Sequence, residues 1–376
     1  MNNSKKIENI LFIFLFIYFF LVSTFQASDN HWSARLDQDI MLIYNSLLIY
    51  SGYEQYYSDH PAFTTFFILG GIYKFLSLFL DNFTLQEILN SENIDQYLQN
   101  LFAIARMLNS IYFFLYALLI FKILEELNIK RSLCIISTLI IISFNSIYEA
   151  LFLIRSEILS IILALLAFYL LLKFIRKKKN SIYCFFSGFF FCLALLAKVQ
   201  VIFIIFIFAL ILPFLFNYYG YFETKKRLIN NDKYFILSSI FFSLFFIGYI
   251  IFEFFFAFSV LRENYSFLRY LLSIPHYVDP LLISFFIFFY FIVLKYLSGR
   301  NLINFRDTLS TTYTILFGFI FCIFFILFLD MIGLSEFKKE NLLFLSNPVH
   351  LMSRHSFEMF NADFTGEFDF ANIFQI

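Results

Sequence analysis

The chain has 376 residues, 61% of them hydrophobic and 14% charged, and its mean hydropathy of +0.79 is one that no soluble globular domain approaches. Its 27 basic residues balance 27 acidic ones, so no bulk charge points to nucleic acid as a partner. The composition is that of an all-α polytopic membrane protein. With 62 Phe and 10 Gly, the helices are expected to pack through aromatic bulk rather than widely through glycine. Cys134, Cys184, Cys192 and Cys322 all fall in apolar runs, without CxxC or metal-ligand spacing, which indicates neither a disulfide nor a zinc site.

Lys5 and Lys6 precede an apolar run from Ile10 to Val22 with no small-x-small cleavage site after it, so the run reads as an uncleaved first helix. Runs long enough for about 30 Å of hydrocarbon fall at 9–26, 101–124, 133–152, 157–175, 181–197, 199–219, 234–257, 279–298 and 309–334. A tenth run, 61–80, decides the topology of everything after it. If it does not cross, Lys5/Lys6, Lys130/Arg131, Arg176 to Lys179, Lys225 to Arg227 and Arg300/Arg306 all lie inside, as the positive-inside rule demands. If it crosses, the clusters at 176–179 and 225–227 face outward. The run also carries Gly70-Gly71 and Lys74, which suit a surface or re-entrant helix.

The expectation is therefore a domain over 1–334 of about nine transmembrane helices, N-terminus inside and C-terminus outside, with a long first external loop over 27–100 and a short external tail over 335–376. Within the loop, Ile40, Ile43, Tyr44, Leu47 and Leu48 repeat at helical spacing, with Gln38, Asp39, Asn45 and Ser46 largely opposite. This pattern predicts an amphipathic helix ending at Gly52 and lying on the bilayer surface. No repeat at transporter scale and no symmetric pair of broken helices is visible.

The stretch Arg35 to Pro61 concentrates the chemistry. Asp37 and Asp39 open the amphipathic helix, where acids cap an N-terminus and compensate its dipole, or serve as a general base or cation ligand at the lip of a membrane cavity. Asp59-His60-Pro61 starts the next helix, and Asp59 or His60 acts as cap or substrate contact. Arg155 and Glu157 stand between two spans, either as an ion pair or as a phosphate ligand and a catalytic carboxylate. Lys198 interrupts two apolar runs, as a snorkelling hairpin tip or as a counter-charge to phosphate. Arg262, Arg269 and His276, in the next external loop, are candidates for the same anion.

An acidic pair opening a helix, a Gly fifteen residues after the first acid, and a His-Pro before an aromatic-rich helix resemble the membrane glycosyltransferases of the GT-C superfamily. The likeness extends through Arg106, the Arg155-Ser156-Glu157 loop and Gly188 to Lys198, and covers roughly residues 8–220. Relatives in that superfamily include protein mannosyltransferases, the aminoarabinose transferase of lipid A and lipopolysaccharide-core transferases. The resemblance implies a GT-C-like bundle that transfers a sugar from a polyprenyl-phosphate donor to a glycan, lipid or protein acceptor. It further implies a site on the outer, periplasmic face of a bacterial inner membrane. The family's essential first-loop acid maps to Asp37, and the nearest match to its second-loop acid is Glu157. The second position of the acidic pair is commonly Glu in that family and is Gln38 here, with the next acid at Asp39. A divalent cation, Mg²⁺ or Mn²⁺, stays open as a cofactor. Two other readings compete: a transporter or flippase of lipid-linked sugars, with Glu253 as its intramembrane charge, and a catalytically inactive partner subunit.

Overall fold

Surrounded by hydrocarbon, a backbone must satisfy its own N–H and C=O groups, and long apolar runs do so as helices. The computed structural model describes residues 3–29, 31, 37–51, 62–80, 83–91, 93–144, 153–177, 181–198 and 305–331, with scattered positions within 201–215 and 292–299. Among the described residues the chain is 87% helical and has no strand. The helices are α1 (Asn3–Asp29), α2 (Asp37–Leu48), α3 (Phe63–Leu76), α4 (Leu85–Leu89), α5 (Ile94–Glu126), α6 (Arg131–Ile142), α7 (Ser156–Lys177), α8 (Ser181–Ala197) and α9 (Phe305–Met331). Three stretches are long and apolar enough to cross a membrane: Ile94–Glu126, Ser156–Arg176 and Ser310–Leu329. Ile10–Phe25 and Ser181–Ala197 are shorter apolar helices. Of the other expected spans, 234–257 lies outside the described residues, 199–219 and 279–298 are described only at scattered positions, and the tail 335–376 is also outside.

Local chemistry sets the ends of these elements. Thr84 and Glu87 form a capping box at α4: Glu87 N donates to the Thr84 hydroxyl, while Thr84 N donates to Glu87 Oε2 at 2.9 Å. Asn93 caps α5 by accepting from Gln96 N. At the other end of α5, Asn128 sits at φ 60°, a left-handed conformation that Asn tolerates better than most residues. There Ile129 N donates to Leu124 O and Asn128 N to Glu125 O, which closes a Schellman turn.

Side-chain pairings give the relative direction of the long helices. On the α1–α5 seam, Phe12 meets Phe121, Phe16 meets Phe114 and Phe19 meets Phe113, so the two helices are antiparallel. Between α5 and α7, Asn109 bonds Leu153 just before α7, and Glu126 bonds Arg176 near its end, so these two run parallel. Helix α8 returns antiparallel to α7, with Leu159, Leu163, Ala164 and Ala167 near Phe191, Ala194 and Ala197, and Leu171, Phe174 and Ile175 near Cys184. Small residues on both sides of that seam let the backbones approach.

Helices α8 and α9 run parallel. Phe185 packs on Phe317, and Phe189 on Phe321 and Phe325. At their crossing, a Cβ on Gly188 would strike the carbonyl of Ile315, and one on Gly318 the carbonyl of Phe185. Each glycine therefore abuts the backbone one turn before the other. Aromatic bulk carries much of the packing, as the composition implies, but this contact depends on glycine.

The amphipathic reading of α2 is corrected. Its predicted apolar face, Ile40, Ile43, Tyr44, Leu47 and Leu48, is buried, but Asp39, Asn45 and Ser46 are buried too, at 2%, 0% and 0% exposure. Helix α3 lies antiparallel over α2, close enough that a Cβ on Gly70 would meet the Ser46 carbonyl. Asn45 and Ser46 turn back to the carbonyls of Met41 and Leu42, so burial leaves neither side chain orphaned. Helix α2 is thus a packed element rather than one lying on a surface. Helix α3 is tied to α8 by Thr64 Oγ1 donating to Leu193 O at 2.8 Å, and to α5 by Tyr73 Oη donating to Leu101 O at 2.9 Å. Its 14 residues span about 21 Å, short of the roughly 30 Å of a hydrocarbon core.

Candidate functional site

Three elements converge on the short non-helical segment Leu153–Arg155 and the first turn of α7. From α2, Asp39 Oδ1 accepts a hydrogen bond from Ile154 N at 3.2 Å. From α5, Asn109 Nδ2 donates to Leu153 O at 2.9 Å. From the end of α8, Lys198 Nζ pairs with Glu157 Oε1 at 2.9 Å. Residues 39, 109, 157 and 198 are therefore gathered at one place, although they lie on four elements.

Each side chain arrives there for a local reason. Glu157 stands in the first turn of α7, where the helix dipole favours a carboxylate. Lys198 directly follows α8, and its backbone N–H continues the helix ladder to Ala194 O. The side chains of Lys198 and Glu157 are 15% and 41% exposed, but Glu157 Oε2 is itself buried and has no hydrogen-bond partner among the described residues, so the pair is half-buried and the exposed part of the glutamate is not its free carboxylate oxygen. The sequence suggested Arg155 as the ion-pair partner of Glu157; the geometry adds Lys198, which was not expected to pair with it. Arg155 is half-buried, two residues before it.

Deeper in the bundle, Arg106 is 3% exposed, and its guanidinium lies over the Phe102 ring at 5.4 Å from the centroid. Asn109 follows one turn later on the same face. An arginine and an amide buried in a helix long and apolar enough to span a membrane are costly to place, and such residues mark functional sites by default. Sequence reading passed over Asn109. Its signal was present, as a polar residue three after Arg106 in an otherwise apolar run.

Asp37 is the first residue of α2, and positions two apart on a helix do not share a face, so position 37 is distinct from that of Asp39. Asp59, His60, Arg262, Arg269 and His276 lie outside the described residues, as does Glu253. Among the described residues no three His, Cys, Asp or Glu side chains gather into a group able to hold a metal ion. At the opposite end of α5 and α7, Arg176 Nη1 bonds Glu126 Oε2 at 2.7 Å, which joins the two helix ends.

No protein-family model, curated protein or solved structure matches this chain. Any functional reading rests on the residues themselves.

Proposed function

We propose that this chain is a GT-C-like membrane glycosyltransferase of about nine spans. It would transfer a sugar from a polyprenyl-phosphate donor to a glycan, lipid or protein acceptor on the periplasmic face of a bacterial inner membrane. The observation that carries the reading is the convergence on residues 153–157: the acid-bearing helix α2, the second-loop acid Glu157 and the basic Lys198 meet at one end of the bundle. These are the elements that the family resemblance pairs. The helix directions support the same path, because α1 antiparallel to α5, and α5 parallel to α7, are the senses that a non-crossing 61–80 segment assigns.

In this hypothesis Asp37 accepts the proton of the acceptor hydroxyl as its oxygen attacks the anomeric carbon. The bond from that carbon to the phosphate oxygen breaks, and polyprenyl phosphate leaves with the electron pair. A single displacement inverts the anomeric centre. Arg155 and Lys198 stabilise the negative charge that grows on the leaving phosphate. Glu157 holds Lys198 in place until the phosphate arrives and shares its charge. The prenyl chain lies along the apolar helix faces.

The test begins with deletion of the gene and mass spectrometry of envelope glycans and lipid-linked sugars. A lost glycan and an accumulated donor are expected, both reversed by the intact gene. Complementation with Asp37→Asn should restore the protein in the membrane but not the glycan. Full restoration by that variant would remove Asp37 as the base.

A further inference from the structure

Asp39 and Asn109 each make a hydrogen bond to the backbone of the same short segment. Asp39 accepts from the amide of Ile154, and Asn109 donates to the carbonyl of Leu153. The two contacts fall on the N–H and the C=O of a single peptide unit, the one that joins Leu153 to Ile154, with the N–H held from α2 and the C=O from α5. Both side chains are almost wholly buried, at 2% exposure each, and their bonds span 115 and 44 positions of sequence. The segment they hold leads directly into Arg155 and Glu157, and Glu157 in turn holds Lys198.

We infer that Asp39 and Asn109 form a two-point clamp on the Leu153–Ile154 backbone, a positioning device that sets Arg155 and Glu157 relative to the start of α2. A segment without helix bonds of its own has no internal means of holding its register, and loops open locally at low cost. Buried hydrogen bonds to its backbone supply that register. The polarity matters: Ile154 N–H needs an acceptor and Leu153 O a donor, so an amide suits position 109, and either a carboxylate or an amide oxygen suits position 39. In this arrangement Asp39 acts through the loop rather than on the substrate. Its value for transfer rests on the glycosyltransferase reading; the clamp itself does not.

The test uses the purified full-length chain in detergent with Arg155→Cys as a reporter, and reads the rate at which a small methanethiosulfonate reagent modifies that cysteine. The four native cysteines are buried and give a low background. Asp39→Leu and Asn109→Leu should each raise the rate about tenfold, the scale of a lost buried hydrogen bond, whereas Asp39→Asn, which keeps the acceptor oxygen, should stay within about twofold of the parent. A second reporter, Glu126→Cys at the far end of α5, should be unmoved in every variant, which separates local release from global unfolding. If the leucine variants do not accumulate, Asp39→Ser and Asn109→Ser supply the same comparison with smaller changes. Unchanged labelling in the variants that remove the bond would overturn the clamp. So would equal acceleration by Asp39→Asn and Asp39→Leu, because charge rather than an acceptor would then be required. In the glycan assay Asp39→Asn should complement while Asp37→Asn does not. Slow labelling with lost transfer in Asp39→Asn would assign Asp39 to the chemistry and overturn its positioning role. If Asp37→Asn complements while the labelling pattern holds, the function fails and the clamp stands.

Discussion

Lys198 and Glu157 show how magnitude separates a structural residue from a functional one. Their ion pair is half-buried, with Glu157 Oε2 out of solvent and Lys198 mostly covered, and solvent screening at the remaining exposed surface leaves it worth on the order of 1–2 kcal/mol. A purely structural Lys198 would therefore cost only that modest amount when replaced. A Lys198 that meets the leaving phosphate would cost more in rate than in stability. Lys198→Met should destabilise by about 1–2 kcal/mol in thermal unfolding, while transfer per folded molecule falls about a hundredfold. Activity loss no greater than the loss of folded protein would return Lys198 to the role of a helix-end tether. Residue chemistry at this site was only partly legible in the sequence: Glu157 and Lys198 stood out as charges in apolar surroundings, but a charge pattern does not name its partner. Asp39 and Asn109 were harder, because the bonds that bring them to this segment go to backbone groups, which every residue carries.

At the scale of elements, the close crossings are the sensitive points. A Cβ on Gly188 would lie 2.7 Å from the Ile315 carbonyl carbon and 3.0 Å from its Cα, all backbone atoms that no rotamer change can move. At Gly71 the nearest obstacle is the Tyr50 hydroxyl at 3.2 Å, the far end of a side chain. Gly188→Ala should therefore cost about 1–3 kcal/mol by forcing α8 and α9 apart. Gly71→Ala should be close to neutral or slightly stabilising, since Ala favours helix over Gly. Thermal melting of the two variants in detergent checks the contrast, and equal effects would mean that the crossing is looser than its geometry. The same scale explains the misreading of α2. Periodicity placed its apolar face correctly, yet the opposite face was assigned to water when α3 covers it. The cover depends on Gly70, and one sequence pattern cannot tell a solvated polar face from one whose side chains are satisfied by their own helix. By contrast, the capping box Thr84-Leu85-Gln86-Glu87 was legible and overlooked.

For the whole molecule, direction is the decisive quantity. Antiparallel α1 and α5 require an even number of crossings between them if both span, and a lone crossing by 61–80 is odd. With α3 too short to span, zero is the consistent number. In intact cells a cysteine at position 130 should accordingly resist a membrane-impermeant maleimide, whereas one at His31, which is exposed, should react. Labelling at both positions, or the reverse pattern, would break the expected topology and with it the proposal that the site lies on the outer face. The four buried native cysteines make the assay practicable without replacing them.

Some properties of this protein are local and could be read from the chain alone: helices as the dominant element, stretches able to cross a membrane, and charged residues confined to a few interruptions. Each follows from the hydropathy and charge of a window of neighbours, which no distant contact alters. The tertiary structure decided which interruptions meet. That Glu157 holds Lys198, that Asp39 holds the backbone of Ile154, that α2 is buried on both faces, and that α8 and α9 run parallel on paired glycines all depend on which helices become neighbours. That choice is made by packing shape and by the pairing of buried polar groups across 40 to 130 positions of chain, as in the bonds from Asn109 to Leu153 and from Thr64 to Leu193.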